Sequence, residues 1–479
     1  MKLHEITFHR RFSVNLYRNL RLPMGEMCFY KNWVDDARGD PYPLLLRSGD
    51  VSENLFFGRY SVGASDKGGI RRLLGSFFPW NTYELTLDKM RRDASVGFYL
   101  QGDAGNLSVM LTKKELTVMC DEFTKSYSVL VIRNSVFSLT FRTGGITLYL
   151  NGARIADISL KMMNAYREEA VFTRATVSLQ AEFQGEGSLT LSDVRWYLCG
   201  GISHADIKPI RYEDGTPMME NGRVFLTVSS RLEEQMYQSV ISWNPTLCDF
   251  RMEGAIFYDC GDGFWCSDVA ASIIFDRNGG RWLVWMTAFS HGHILGRGVC
   301  SSDPRYGINV INVRLMDAAK EGDARSAFVG FAGDEDPDLL YLDGEWHLTV
   351  CRPEPNTGFH YYHFVSDAPF DGFSCVDRTP TGEKTGGMFV KTEDGYVFVC
   401  GSDFHTRARY DVYPINDFST FENLHCDYDD GGFRGWGTVM LLPVGGKRRY
   451  VWITFDRQNA SPYNWSYGNL YVFDSDYLN

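Results

Sequence analysis

Short runs of alternating polar and apolar residues fill the chain between about Glu53 and Leu198. Examples are YELTLDKM, LSVMLTK, SYSVLVIR and ITLYLNG, and Gly, Asn or Asp stands at many of the joints between runs. Because successive side chains of a strand point to opposite faces, this alternation predicts antiparallel strands with one buried face each. In FSLTFRTGGITLYLNGARIADISL, the turns TGG and NGA separate three strands at the spacing of a curved jelly-roll sheet. We therefore predict a β-sandwich domain over residues 1–200, including an N-terminal extension.

From about Gly201 onward, the chain repeats an acidic motif, a strand, a Gly or Asn-Gly turn and a strongly aliphatic or aromatic strand. The 221 residues from Asp214 to Gly435 contain four intervals of this repeat, about 55 residues each. That period is close to the length of a four-stranded propeller blade. We predict a five-bladed β-propeller over residues 201–479, which makes the whole chain all-β. The five units begin near Glu213, Cys266, Glu335, Thr385 and Arg434.

Composition narrows the range of partners. The 479 residues include 48 Lys and Arg against 60 Asp and Glu, a net charge of −12, which argues against a nucleic-acid partner or an anionic membrane. We see no apolar stretch long enough for an export signal or a membrane span. The 11 cysteines are scattered without a CxxC pair. We therefore expect a cytoplasmic protein with a small neutral partner, and the oligomeric state stays open.

Carboxylates stand ahead of three hairpins in the repeat. Asp214, Asp268 and Asp336 each precede the glycine of a hairpin turn by eight to twelve residues. The first residues of each innermost strand of a propeller face a central funnel, so we expect these acids to converge there. Carboxylates that share a site raise one another's pKa, which lets one stay protonated while another is ionised. Cleavage of a glycosidic bond needs that division of roles.

The acidic motifs occur in a fixed order: YEDG at 212–215, WCSD at 265–268 and EDPD at 335–338. Over about 275 residues, this ordered set resembles glycoside hydrolase family 43 and its five-bladed relatives. The first domain resembles the concanavalin-like or LamG-like sandwiches that often accompany carbohydrate-active enzymes. These resemblances imply hydrolysis of a glycosidic bond in a short oligosaccharide, with inversion at the anomeric carbon.

The resemblance also implies roles for single residues. Asp214 would be the general base, and Asp336 would tune the pKa of the general acid. Relatives open blade four with Glu-Gly-Pro, whereas this chain has GEKTGG from residue 382, so Glu383 is the candidate acid and Glu335 is the reserve. Carboxylates, indole rings and basic groups in such a funnel are expected to bind the sugar. The expected binding residues are Asp268, Trp265, Glu335, His291, His405, Arg434 and Trp436.

No cofactor and no metal ligand are predicted. The histidines of His291-Gly292-His293 lack a third ligand at a recognisable spacing. A structural cation in the propeller channel is left open.

Three other functions stay open beside hydrolysis, and one of them is a uronate lyase, which would need a Tyr or His base instead of paired acids. A glycoside phosphorylase on the same propeller would need cationic groups around a phosphate, and Arg434, Arg457 and Lys384 could supply them. A non-catalytic carbohydrate-binding protein would explain the irregular motif of blade four.

Overall fold

The computed structural model describes most of the chain, and the account below concerns those residues. The described stretches are 2–16, 20–34, 39–91, 93–142, 144–166, 174–201, 203–232, 235–262, 268–316, 329–402, 409–426, 433–456 and 469–478.

The chain divides into two compact units. One unit is Pro23–Cys199, and the other combines Met1–Leu22 with Gly200–Asn479. The first strand, β1 (Thr7–Asn15), belongs with the C-terminal part because it pairs antiparallel with residues Asn469–Asp474. The N-terminal extension that we predicted as part of the sandwich domain is therefore a strand of the other unit. A pairing partner more than 450 residues away leaves no signal in the local pattern.

The unit Pro23–Cys199 is a sandwich of two antiparallel sheets. One sheet has the strand order β11-β10-β9-β8-β15-β6-β3, and the other has the order β14-β13-β12-β7-β16-β5-β4. The strands are β2 (Arg21–Glu26), which pairs with β16, β3 (Leu44–Ser48), β4 (Val51–Leu55), β5 (Tyr60–Ala64), β6 (Gly68–Ser76), β7 (Asn81–Met90), β8 (Ala94–Gly102), β9 (Gly105–Leu111), β10 (Glu115–Cys120), β11 (Phe123–Ser128), β12 (Ser135–Arg142), β13 (Gly145–Leu150), β14 (Ala153–Ser159), β15 (Ala175–Phe183) and β16 (Gly187–Cys199).

The local pattern of this unit is as the sequence predicts. β12, β13 and β14 pair in succession. The predicted NGA turn has Asn151 and Gly152 at φ 51° and 76°, the left-handed pair that a two-residue hairpin turn requires. Apolar side chains of both sheets, such as Leu85 of β7 and Val96 of β8, are fully buried in one shared core. Burial on one face explains the period-two alternation.

The other unit is a five-bladed propeller, which confirms the predicted fold class. Its remaining strands are β17 (Ser203–Pro209), β18 (Arg211–Tyr212), β19 (Met219–Glu220), β20 (Arg223–Leu232), β21 (Gln235–Asn244), β22 (Asp249–Asp259), β23 (Asp268–Asp276), β24 (Arg281–Ala288), β25 (Ile294–Cys300), β26 (Gly307–Leu315), β27 (Glu335–Leu342), β28 (Glu345–Glu354), β29 (Gly358–Ser366), β30 (Ser374–Arg378), β31 (Lys384–Thr392), β32 (Gly395–Ser402), β33 (Arg409–Pro414), β34 (Glu422–Asn423), β35 (His425–Cys426), β36 (Phe433–Val444), β37 (Lys447–Asp456) and β38 (Asn469–Asp474).

Each blade has four main strands. Blade one is β17, β20, β21 and β22, and blades two, three and four are β23–β26, β27–β30 and β31–β34. Blade five is β36, β37 and β38, and β1 from the N-terminus completes it. The inner strands β17, β23, β27, β31 and β36 contact one another in a closed ring. Short 3₁₀ helices lie at Leu3–Glu5, Lys161–Tyr166 and Phe289–His291. Within the described stretches, no helix has the length and hydrophobicity to cross a bilayer.

Every inner strand is irregular near its start. The register with the next strand shifts between Ala205 and Lys208, Val269 and Ser272, Glu335 and Asp338, Thr385 and Met388, and Phe433 and Gly437. In blades one to four, the bulged residue has a positive φ: 52° at Asp206, 57° at Ala270, 51° at Asp336 and 58° at Gly386. Bulges redirect side chains beside functional sites. They make Asp206 and Asp336 structurally equivalent positions.

Two buried side-chain cations of the propeller unit donate hydrogen bonds to backbone carbonyl groups. Lys208 Nζ donates to the carbonyl oxygens of Asp336 and Pro337 at 3.1 and 2.9 Å. The buried Arg211 guanidinium contacts Asp338 Oδ2 at 2.5 Å and donates to the carbonyl oxygen of Phe389 at 2.6 Å. These contacts join blade one to blades three and four.

Candidate active site

A cavity of about 310 Å³ lies where the inner strands begin. This volume is within the range of small-molecule sites. Inner strands β17, β27 and β31 supply five of its lining residues, and the connecting loops and neighbouring strands supply the others. The lining residues are Asp206, Arg231, Met236, Phe289, His293, Glu335, Asp336, Phe359, Lys384 and Thr385.

Three carboxyl groups share this cavity, and two of them have raised pKa values. Burial raises the pKa of Glu335 to about 7, and the charges of Asp336 and Asp206 add to the effect against the opposing hydrogen bond of His293. Burial and the charge of Asp336 raise the pKa of Asp206 to about 6. Burial and the neighbouring negative charges therefore keep both carboxyl groups protonated to a higher pH than exposed acids.

Asp336 accepts hydrogen bonds from β31 of the neighbouring blade. Its Oδ2 accepts from the Gly386 N–H at 3.2 Å and from Thr385 Oγ1 at 3.5 Å, and its side chain is buried. Its own N–H lies 3.2 Å from Thr287 Oγ1, which secures the bulge. Donors directed at a carboxylate stabilise its charge. Asp336 is thus placed to raise the pKa of its two neighbours.

His293 and Arg231 bring positive charge to the same cavity. His293 Nε2 lies 3.0 Å from Glu335 Oε2, and this hydrogen bond raises the pKa of the imidazole. Arg231 Nη2 lies 3.9 Å from Asp206 Oδ2.

The bulge in β27 explains why two consecutive acids, Glu335 and Asp336, both line the cavity. The preceding Asp334 is fully buried elsewhere, and its Oδ1 lies 2.7 Å from Arg352 Nε.

Asp214, the predicted general base, lies elsewhere. It follows β18 in a turn, where Lys391 Nζ contacts its Oδ2 at 2.7 Å and Arg277 lies at 3.3 Å. Burial opposes ionisation there, but the Lys391 hydrogen bond and the Thr216 N–H lower its pKa to about 2. Lys391 is six residues along β31 from Thr385 of the cavity, about 20 Å at strand spacing. Asp214 therefore does not join Asp336.

An extra turn in blade one explains this difference. Asp336 precedes its hairpin glycine, Gly344, by eight residues, and Gly386 precedes Gly395 by nine. Asp206 precedes Gly222 by 16 residues, because β18, β19 and the turn between them are inserted before the hairpin. The Asp214-Gly215 pair within this insertion copies the spacing of the other blades. Sequence reasoning therefore missed Asp206.

Glu383, the predicted acid, lies beside the cavity and does not line it. It directly precedes β31 with φ 60°, and its carboxylate lies against the backbone of Gly358, next to the lining residue Phe359. Its neighbour Lys384 is fully buried, and its Nζ contacts Asp411 Oδ2 at 2.5 Å. Lys384 thus neutralises an acid within its own blade. The acid role of Glu383 stays a prediction, while Glu335 has the position and pKa that the role needs.

Asp268 and His291 are brought together, apart from the lining residues. Asp268 is buried at the start of β23, and burial raises its pKa. His291 Nδ1 lies 3.2 Å from Asp268 Oδ2. Among the other predicted binding residues, Trp265 and His405 lie outside the described residues. Arg434 and Trp436 lie in β36, and their side chains are also outside the described part of the structure.

Several lining residues were not predicted: Asp206, Arg231, Met236, His293 and Phe359 are examples. Phe289, Phe359 and Met236 give the cavity apolar walls, which suit the C–H faces of a sugar ring. The signal available in the sequence was the run SHADIKP, an acidic residue within a strand-like opening like that of EDPD.

Comparisons with known proteins add little to this picture. No family model matches the chain, and no curated protein matches it in sequence. Among solved structures, the chain is similar to Zg3597, a family 117 glycoside hydrolase of Zobellia galactanivorans, at 12% identity and a TM-score of 0.40, covering 57% of this chain and 84% of that one. A thermostable family-43 glycoside hydrolase gives 14% identity, a TM-score of 0.36, and coverage of 58% and 90%.

The laminarinase of Flavobacterium sp. UMI-01 gives 7% identity, a TM-score of 0.29, and coverage of 36% of this chain and 99% of that one. These scores are too low to support a conclusion about function. The fold assignment rests on the strand pairing described above.

Proposed function

We propose that the protein is a glycoside hydrolase whose reaction takes place in the cavity of Asp206, Glu335 and Asp336. The observation that carries the proposal is the pair of raised pKa values, about 6 at Asp206 and about 7 at Glu335, in one cavity of ligand size. A glycosidase needs one carboxylic acid that still holds its proton where a second is already ionised.

Burial raises the pKa of Glu335 toward the range that a general acid needs near neutral pH. Glu335 is the general acid that protonates the leaving oxygen, and Asp206 is the general base that activates water. Asp336 raises the pKa of both groups through its charge, and the family resemblance implies this role for the acid. Because the two groups influence each other, the rate should follow a bell-shaped pH profile with apparent pKa values near 6 and 7. Inversion at the anomeric carbon is part of the proposal.

A substrate screen tests the proposal. Aryl glycosides and short oligosaccharides, including furanosides and uronides, are incubated with the protein, and NMR follows the anomer that is released first. Asp206→Asn and Asp336→Asn should each lower kcat by about 10²-fold or more. Asparagine tolerates the left-handed backbone at both positions, so the bulges should persist.

Asp214→Asn is the matched control for these variants. It removes an ion pair whose carboxylate is 29% exposed and should cost at most about 1 kcal/mol of stability, with kcat unchanged. Full activity of Asp206→Asn and Asp336→Asn, or loss of activity in Asp214→Asn alone, would contradict the proposal.

Phosphorolysis on the same cavity is the second candidate. Arg231 lines the cavity, and its Nε is buried without a hydrogen-bond partner within the described stretches. An arginine of this kind could bind a phosphate oxygen. Turnover that requires inorganic phosphate and releases a sugar phosphate would favour this reaction over hydrolysis.

A further inference from the structure

Cys260, Asp268 and His291 form a second cluster in the propeller unit, apart from the residues that line the cavity. Cys260 follows the end of β22, Asp268 opens β23, and His291 ends the 3₁₀ turn Phe289–His291. One potential ligand atom from each residue lies within 4.8 Å of the other two. The donors are a thiol, a carboxylate and an imidazole, the set that borderline divalent cations such as Zn²⁺ prefer.

The two distances from Asp268 Oδ2 to the other ligand atoms fit a tetrahedral ion. Cys260 Sγ lies 3.7 Å and His291 Nδ1 lies 3.2 Å from Asp268 Oδ2. With Zn–N and Zn–O bonds of about 2.0 Å and Zn–S bonds of about 2.3 Å, a tetrahedral site separates S from O by about 3.5 Å and N from O by about 3.3 Å. Both distances agree with this geometry to within about 0.2 Å.

The other ring nitrogen of His291 fixes the tautomer that a metal ligand needs. Nε2 lies 2.8 Å from Asp262 Oδ2, and an ionised carboxylate only accepts, so Nε2 carries the proton. With Nε2 engaged by Asp262, Nδ1 is the ring nitrogen left to bind a metal, and this buried atom makes no hydrogen bond to the described residues. A carboxylate behind the outer nitrogen is the usual support of a zinc-binding histidine.

Tyr258 supplies an independent observation. Its side chain is 1% exposed, and its hydroxyl has no hydrogen-bond partner in the part of the chain that the structure describes. Tyr258 and Cys260 are two residues apart and so share one face at the end of β22. Among the described residues nothing satisfies this hydroxyl, and a metal-bound water beside the cluster would do so.

We propose that Cys260, Asp268 and His291 bind one Zn²⁺ ion, with the fourth position open to water. The ion would link blade two's first strand to the turn between β24 and β25, whose residues Phe289 and His293 line the cavity. Binding at this site does not depend on the reaction proposed for the cavity. The sequence pattern showed only the two histidines, because the other ligands come from separate strands.

Metal binding by the untagged, full-length protein tests the site. Protein dialysed against a chelator is titrated with Zn²⁺ in competition with a chromophoric chelator, and bound metal is measured by mass spectrometry. We expect one equivalent per chain. Cys260→Ser and His291→Ala should each weaken binding by roughly 100-fold or more, and Asp262→Asn by about 10- to 100-fold. Cys248→Ser, at an exposed thiol, is the matched control and should bind as the wild type does.

Co²⁺ substitution gives a readout that needs no activity. The wild type and Cys248→Ser should show a thiolate-to-cobalt charge-transfer band and tetrahedral visible absorption, and Cys260→Ser should lack the charge-transfer band. If a variant fails to fold, the wild-type cobalt spectrum decides the question alone. The proposal is overturned if the wild type binds no stoichiometric Zn²⁺, if its cobalt spectrum lacks the thiolate band, or if Cys260→Ser and His291→Ala bind as tightly as the wild type. The last result would leave Cys260, Asp268 and His291 as a polar cluster that binds no metal.

Discussion

Asp206 and Asp214 are eight residues apart, and their carboxyl groups have opposite pKa shifts. The pKa of Asp206 rises to about 6 because it is buried near Asp336, and the pKa of Asp214 falls to about 2 because Lys391 and the Thr216 N–H outweigh its partial burial. The residue type alone does not predict this difference in pKa. Sequence reasoning could find Asp336 and Glu335, which keep the regular spacing, but Asp206 required knowledge of the inserted turn.

The raised pKa of Glu335 should appear in stability. The folded state holds this proton up to about pH 7, whereas the unfolded state loses it near pH 4.5, so the free energy of unfolding falls as pH rises through this window. Glu335→Gln cannot ionise. Its stability relative to the wild type should therefore rise by up to roughly 3 kcal/mol between pH 4.5 and pH 8. Urea denaturation of the wild type and of Glu335→Gln at pH 4.5 and pH 8 measures this difference in the free energy of unfolding.

Asp214→Asn serves as the control for that comparison. Asp214 is ionised in both folded and unfolded states between pH 5 and pH 8, so its variant should show no such rise. An identical pH dependence for Glu335→Gln and the wild type would show that Glu335 is not held protonated.

At the scale of the element, each inner strand combines a predictable hairpin with a bulge that the pattern does not show. The glycine turns and the apolar strand after each turn follow from period two and turn chemistry. The bulges depend on how inner strands of neighbouring blades meet around the ring, as when Gly386 of β31 donates to Asp336 of β27. The local sequence pattern does not predict that contact between blades.

The inner strand of blade four holds a fully buried ion pair, Lys384 with Asp411. Lys384→Met should lower the free energy of unfolding by about 3 to 5 kcal/mol, because it leaves the Asp411 charge buried without its cation. The double variant Lys384→Met/Asp411→Leu should recover most of this loss, since no charge is then buried. Chemical denaturation of the three proteins checks this, and equal stability of the wild type and Lys384→Met would contradict it.

At the scale of the whole molecule, the fold class and the number of blades could be predicted because the blade repeat is local. The position of the first 22 residues could not, because β1 pairs with β38 across nearly the full length of the chain. Cutting the chain at residue 200 would separate the propeller from the strand that completes its fifth blade.

A substitution at Phe8 tests how much the pairing of β1 with β38 contributes to the stability of the propeller. Its side chain is fully buried, and its ring lies edge-on to that of Trp452, with the ring centroids 5.6 Å apart. Phe8→Ala should cost about 3 to 5 kcal/mol through lost burial and the cavity left behind. Ser13→Ala, at an exposed position of the same strand, is the control and should change stability by less than about 0.5 kcal/mol. If both variants melted like the wild type, β1 would not be part of the folded propeller.

The central claim is that Glu335 delivers a proton to the leaving group of a glycoside bound in the cavity. The most direct test compares kcat/KM of wild type and Glu335→Gln on two glycosides of the same sugar, one with an alkyl or sugar leaving group and one with dinitrophenolate, which needs no protonation. We predict a loss of about 10²-fold or more for the first substrate and a far smaller loss for the second. Equal losses on both substrates, or none on either, would contradict the account.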